Sequence, residues 1–207
     1  MKRRLLNQCN ILSHPTIYSC FQKLLGADAC RRRLVQDFVK PSAGVRILDF
    51  GCGTADIIDC LPDNVEYVGT DHSASYIAFA QKKFGNKGKF HCSSVDEKHD
   101  LGDQGSFDIV LAMGVLHHLN DEQARLLIRQ SRWYLKEGGT LITFDCVYVH
   151  AQSLLARFII SKDRGEFIRD PSGYLSLLGE SFKSIEYDVL HDAIRIPYTH
   201  FLARCVK

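Results

Sequence analysis

Val45-Arg46-Ile47-Leu48-Asp49-Phe50-Gly51-Cys52-Gly53-Thr54-Ala55-Asp56 reads as a short buried strand running straight into a glycine turn. Val45, Ile47 and Leu48 are apolar and mostly β-branched, as a central parallel strand requires. Gly51 and Gly53 carry no Cβ, so the backbone can turn sharply there and approach a ligand closely. Ile57, Ile58 and Leu61 then begin an apolar helical face that Pro62 stops. A second strand, residues 65–70, ends in Asp71, about twenty residues beyond the glycines, where a carboxylate can accept from both hydroxyls of a ribose. Together these features predict a nucleoside-binding βαβ unit around which the rest of the chain is arranged.

Charge separates the ligands such a unit takes. A dinucleotide fingerprint sets a small residue at the third glycine position, against a pyrophosphate at a helix N-terminus. Counting from Gly51, that position is Asp56, a carboxylate that would face the phosphates, and Asp49 adds a second negative charge. A ligand with an adenosine and a cation in place of phosphate fits better, and S-adenosylmethionine is one.

The chain resembles the class I, Rossmann-like, S-adenosylmethionine-dependent methyltransferases. The resemblance rests on Ile47 to Thr54, on Tyr67-Val68-Gly69-Thr70-Asp71, on Ser106-Phe107-Asp108-Ile109-Val110-Leu111, on Val115-Leu116-His117-His118-Leu119 and on Leu135-Lys136-Glu137-Gly138-Gly139-Thr140-Leu141, in the family's order. It covers roughly the middle half of the chain. It implies an α/β fold: a doubly wound, mostly parallel seven-stranded sheet with helices on both faces and a final antiparallel strand. It also implies S-adenosyl-L-methionine as cofactor, held by Asp49, Gly51, Cys52, Gly53, Asp71, His72, Met113 and His118. The acidic residue that in the family holds the adenine amine aligns here with Ser94 or Val95, and Asp96 falls slightly late.

The alternation of elements agrees with that fold. Ser73 caps a helix with Ile77, Ala80 and Phe84 inward and Gly85 at its end. Residues 89–95 form a third strand and residues 107–113 a nearly all-apolar fourth. Asn120 caps the next helix with Gln123 in capping-box spacing, and its stripe is Ala124, Leu127, Ile128, Ser131, Tyr134 and Leu135. Residues 140–146 form the fifth strand. Residues 151–160 form an apolar helix, 161–170 a charged segment, and Asp170-Pro171 starts a further helix. Two last strands occupy 185–189 and 199–206. Strands alternating with helices in this way build a parallel sheet.

At 207 residues the chain is expected to be a single domain, with residues 1–40 as a helical cap and residues 148–171 as an insertion on the acceptor side. The net charge of +2 provides no global field toward nucleic acid. Eight cysteines form no C-x-x-C pair, which fits a reduced, cytoplasmic setting. No stretch approaches the length of a membrane span. The nine histidines lack metal-ligand spacing and cysteine partners, so no metal is expected.

For the acceptor, His117 and His150 follow the fourth and fifth strands at the ligand edge and are the candidate catalytic bases. His118 opens the following turn. Tyr18, Arg164, Arg169, Arg195 and Tyr198 are candidate acceptor contacts, Tyr18 in a leading segment that closes over the cofactor in the resembled family together with His14 and Gln22. Ala112-Met113-Gly114-Val115 lacks the Asn or Asp followed by two prolines and an aromatic found in enzymes that methylate nucleic-acid amines. The expected partner is therefore a small molecule, or a small unit on a carrier or glycan, bound by a monomer or homodimer. The competing readings are a non-catalytic S-adenosylmethionine-binding partner or sensor, and a nicotinamide-dependent oxidoreductase.

Overall fold

Seven strands form one sheet in the order β3-β2-β1-β4-β5-β7-β6. They are β1 (Arg46–Phe50), β2 (Glu66–Asp71), β3 (Gly88–Cys92), β4 (Phe107–Met113), β5 (Leu135–Cys146), β6 (Ser184–Leu190) and β7 (His200–Val206). The structure, a computed structural model, describes residues 24–97 and 101–207. Strands β1 to β5 run parallel, and β7 pairs antiparallel with both β5 and β6. This is the doubly wound, mostly parallel sheet anticipated from the motifs.

Alternating side chains of the central strands feed two separate cores. Leu48, Val110, Leu141 and Phe201 face one core, while Ile47, Leu111, Ile142 and Leu202 face the other. The first core is covered by Leu127 and Ile128 of α3 (Asp121–Tyr134) and by Tyr174 and Leu178 of α5 (Pro171–Gly179). The second is covered by Leu34 of α1 (Ala27–Leu34), by Val35 and Val39 of a π-helical turn, and by Ala80 and Phe84 of α2 (Ala74–Phe84). A strand buried on both faces must be apolar throughout, which is why β4 reads as an almost unbroken hydrophobic run.

Local signals set the element ends. Asn120 and Gln123 form both halves of the capping box, Ser73 caps α2, and Asp170 caps α5 ahead of Pro171. Three boundaries differ from the sequence reading. β5 begins at Leu135, pairing with Phe107 before a register shift, because Leu135 adopts extended backbone where the helical stripe was expected to continue. β3 ends at Cys92, since beyond it Ser94 N–H turns back to Glu97. The insertion helix α4 spans only Leu154–Ile160, started by Ser153 as its cap. Among the described residues no helix is long and apolar enough to cross a membrane.

Candidate active site

The strand order reverses between β1 and β4, and the turns leaving their carboxyl ends open a crevice there. A cavity of about 550 Å³ occupies it, bounded by the glycine turn after β1, the turn after β4, the start of α1 and the 159–164 segment.

The glycine turn is fixed from β2. Gly51 N–H and Cys52 N–H both donate to the Thr70 carbonyl, at 2.7 and 3.0 Å. Gly53 N–H donates to Asp71 at 3.0 Å, and the other Asp71 oxygen accepts from Ser73 N–H at 2.8 Å. Gly51 has φ +70°, and a Cβ there would meet Val115 Cγ2 at 2.5 Å, so only glycine fits. At Gly53 a Cβ would meet nothing within 4 Å, so the backbone lies open to the cavity.

Asp49 lies on the cavity wall, 3 % exposed. One carboxylate oxygen accepts from Tyr67 Oη at 2.6 Å, and the other has no partner. Burial, reinforced by Asp71 and against the Tyr67 hydrogen bond, pushes its pKa up to about 7. A buried oxygen without a donor is costly, and a cation in the cavity would satisfy it. Asp56 is anchored by Thr54 Oγ1 and Lys83 Nζ, both at 2.8 Å; burial raises its pKa, but these partners outweigh that and hold it below the usual range. An open glycine backbone beside one unsatisfied carboxylate and one ionised carboxylate fits a cationic adenosine ligand and disfavours a pyrophosphate.

Across the cavity stands a polar cluster built from three separated segments. His117, in a 3₁₀ turn after β4, places Nδ1 at 2.8 Å from Asp145 Oδ1 and Nε2 at 3.4 Å from Asp163 Oδ1. The same Asp145 oxygen accepts from His117 N–H at 3.2 Å. Asp163 also accepts from Gly165 N–H and from Tyr198 Oη. Burial draws the His117 pKa down, but the two carboxylates outweigh it and lift it to about 9. Asp163 is held well below the usual carboxylate range, its burial overridden by His117, Gly165 and Tyr198. His118 moves the other way, to about 4, through burial and the charge of His117. His200 stacks on Phe144 at 4.3 Å and is lowered to about 3 by burial, and its Nδ1 is buried with no partner.

The expected site residues therefore divide. Asp49, Gly51, Cys52, Gly53, Met113, His117, His118, Arg164 and Tyr198 all border the cavity. Asp71 stands behind the turn, gripping its backbone. His72 is 84 % exposed beside it, and Ser94 and Val95 lie in the turn after β3, away from the cavity wall. His150 is exposed and does not border the cavity, because the chain turns outward after Val147. Arg169 and Arg195 do not border the cavity either. The Arg169 guanidinium donates to the carbonyls of Leu116, Leu119 and Phe167 and to Asp121. Arg195 packs its stem over Gly26 and donates to Leu24 O. Tyr18, with His14 and Gln22, lies outside the described residues. Asp145 and Asp163 were missed as partners of His117. The one available signal was the position of Asp145 at the carboxyl end of the fifth strand, the same sheet edge as His117.

Comparison with known proteins agrees with this geometry. Residues 48–141 match the family model described as "Methyltransferase domain". The chain is 36% identical over 107 residues to a ubiquinone biosynthesis O-methyltransferase of Bradyrhizobium sp. (strain ORS 278), covering 48% of this chain and 39% of that protein. It is 30% identical over 124 residues to the reducing polyketide synthase Preu2 of Preussia isomera, 56% of this chain and 5% of that protein. The match thus spans about two fifths of the ubiquinone biosynthesis enzymes' length. Among solved structures, the S-adenosylmethionine-dependent methyltransferase SibL superposes with a TM-score of 0.72 at 16% identity, over 92% of this chain and 56% of that one. A TehB-like methyltransferase from Corynebacterium glutamicum gives 0.66 at 15% identity, over 94% and 99%. The fold is that of the Rossmann-like methyltransferases. Residues 48–141 are similar to the methyltransferase domain that the family model describes, and the sheet that carries them is the one those solved methyltransferases share.

Proposed function

We propose that the protein transfers a methyl group from S-adenosylmethionine to a small-molecule acceptor, free or attached to a carrier or glycan. The observation that carries this reading is the continuity of the cavity. It runs without a break from the open backbone of Gly53 and the unsatisfied Asp49 to the cluster of His117, Asp163 and Tyr198. The cofactor supplies a methyl already activated by its sulfonium, so the protein's task is chiefly to bring donor and acceptor into line. Asp49 and the glycine turn hold the cofactor end. Tyr198 and the His200 ring, whose Nδ1 lacks a partner, orient the acceptor. The Ile159–Arg164 wall excludes water.

The relatives' name, O-methyltransferase, supports an oxygen acceptor. The Met113-Gly114-Val115 turn supports a non-nucleic-acid one. His117, held between two carboxylates, is already protonated near neutrality, so it serves to position the cluster and does not act as a free base.

Calorimetry with S-adenosylmethionine and with NAD⁺ tests the cofactor. Saturable binding of the first alone is expected, and saturable binding of NAD⁺ alone overturns the reading. Formation of S-adenosylhomocysteine with a panel of hydroxylated acceptors then separates an enzyme from a sensor, which would bind the cofactor and turn over none of them.

A further inference from the structure

We infer that His117, His118 and Asp163 form a binding site for a divalent transition-metal ion at the acceptor end of the cavity. The spacing of histidines along the chain gives no sign of it, because the third ligand comes from the insertion, 45 residues beyond His118. In the fold, one ligating atom from each of the three residues lies within 4.8 Å of the other two. Ligands on a common tetrahedral centre with bonds of about 2.0–2.1 Å stand roughly 3.3 Å apart. His117 Nε2 and Asp163 Oδ1 are already at 3.4 Å, and a ligating nitrogen of His118, within 4.8 Å of the set, has to close in by up to about 1.5 Å to complete it.

A second observation points the same way. Metal-bound histidines characteristically donate their other ring N–H to a carboxylate, which fixes the tautomer and aims the free nitrogen. Asp145, 1 % exposed, does this for His117: its Oδ1 lies 2.8 Å from Nδ1 and directs Nε2 toward Asp163 and the cavity, where a bound ion would displace the proton that Nε2 shares with Asp163 in the metal-free protein. The second Asp145 oxygen is buried without a partner, so the carboxylate's hydrogen bonds go to the ring and the backbone N–H of His117.

Charge is consistent with a cation. Two carboxylates flank the His117 ring. Opposing them is Arg164, which borders the cavity and whose charge reaches His118. Asp145 and Asp163 make direct hydrogen bonds to the cluster, and their combined charge outweighs one arginine. Two imidazoles and one carboxylate suit zinc, iron, cobalt, nickel or manganese, whereas magnesium and calcium prefer all-oxygen sets. Coordination positions left over by three protein ligands face the cavity, where an acceptor oxygen would bind and lose its proton more readily. That last consequence rests on the methyl-transfer reading; the binding of the ion does not.

The test uses the whole protein, stripped with a chelator, dialysed, and titrated with Co²⁺ alone. One equivalent should bind with visible absorption of a nitrogen- and oxygen-ligated ion, and Zn²⁺ should displace it. His118→Ala and Asp163→Asn should each weaken binding at least tenfold, while His91→Gln, on β3 away from the cavity, should not. Absence of a tight phase, or equal affinity in the His118 and Asp163 variants, overturns the site. If either variant fails to fold, pulsed electron paramagnetic resonance of Cu²⁺ on the unaltered protein decides the matter. Two coupled imidazole nitrogens are expected, and fewer than two overturn it.

Discussion

Gly165 lies directly on the imidazole of His117: a Cβ at 165 would collide with His117 Cδ2 and come within 2.9 Å of its carbonyl oxygen. Two residues on, Phe167 N–H donates to that same carbonyl at 2.9 Å. The insertion is thus tied face to face with the turn after β4. Gly165→Ala should force the two apart and cost about 1–3 kcal/mol, as overpacking does. Urea denaturation measures that loss. Affinity for S-adenosylmethionine should change much less than acceptor turnover, and equal losses in both would show that the insertion supports the cofactor end as well.

The ion pairs of His117 give the metal-free protein an alkaline limit. With its pKa raised to about 9, its protonation adds stability that is fully present below the ordinary histidine value of about 6.5 and is lost as pH rises through 9. A shift of this size corresponds to about 3 kcal/mol. Asp49, raised to about 7 by burial, slopes in the same direction but in a lower window, between the ordinary carboxylate range and pH 7. His118 and His200 are lowered and act only below about 6.5. Denaturation in chelator at pH 6.5, 8 and 9.5 should show a falling limb that His117→Gln removes. A limb unchanged in that variant would assign it elsewhere.

Asp49→Asn should separate stability from binding. The amide can keep the hydrogen bond from Tyr67 while removing a charge that is buried at a cost. At pH 8 the variant should be more stable by about 2 kcal/mol. It should also bind S-adenosylmethionine about tenfold more weakly, since the carboxylate no longer faces the cation. Thermal melts and calorimetry on one preparation measure both. A variant that is less stable and binds equally well would remove Asp49 from the cofactor site.

Arg169 is a structural clamp. It satisfies carbonyls of Leu116 and Leu119, at either end of the 3₁₀ turn that carries His117 and His118. Arg169→Ala should destabilise the fold by roughly 2–3 kcal/mol, because part-buried carbonyls lose their donors. Arg169→Lys should recover little, since a single ammonium cannot span the fork of acceptors. An acceptor-binding arginine would instead leave the melting temperature unchanged and raise the acceptor's KM.

The glycine-turn half of the cavity was legible in the sequence because its signals are local. Gly51 and Gly53 follow a β-branched strand, Asp71 ends the next strand, and Asn120 with Gln123 announces a helix within four residues. The half around His117 was not, because its contacts are long-range. His117 meets Asp145 28 residues away and Asp163 46 residues away, and no periodicity encodes such a meeting. Arginines were the least readable. Arg164 reaches the cavity while Arg169, five residues on in a similar charged context, turns back to cap a 3₁₀ turn. Which way each points depends on where the turn after β4 leaves carbonyls without donors, and sequence does not record that.

Strand β7 sits between β5 and β6 although it follows both in the chain. On the ribosome, β5 therefore emerges with one edge bare, and β6 has no strand to join until β7 is made. Leu141 and Ile142 of β5, fully buried in the finished sheet, wait beside that open edge. Bare apolar edges invite pairing between chains. The interval between synthesis of β5 and docking of the β6–β7 hairpin is thus a period in which a nascent chain is exposed to aggregation and to chaperone capture. The same docking step delivers Tyr198 and His200, so the cavity gains that wall at the moment the edge of β5 is covered.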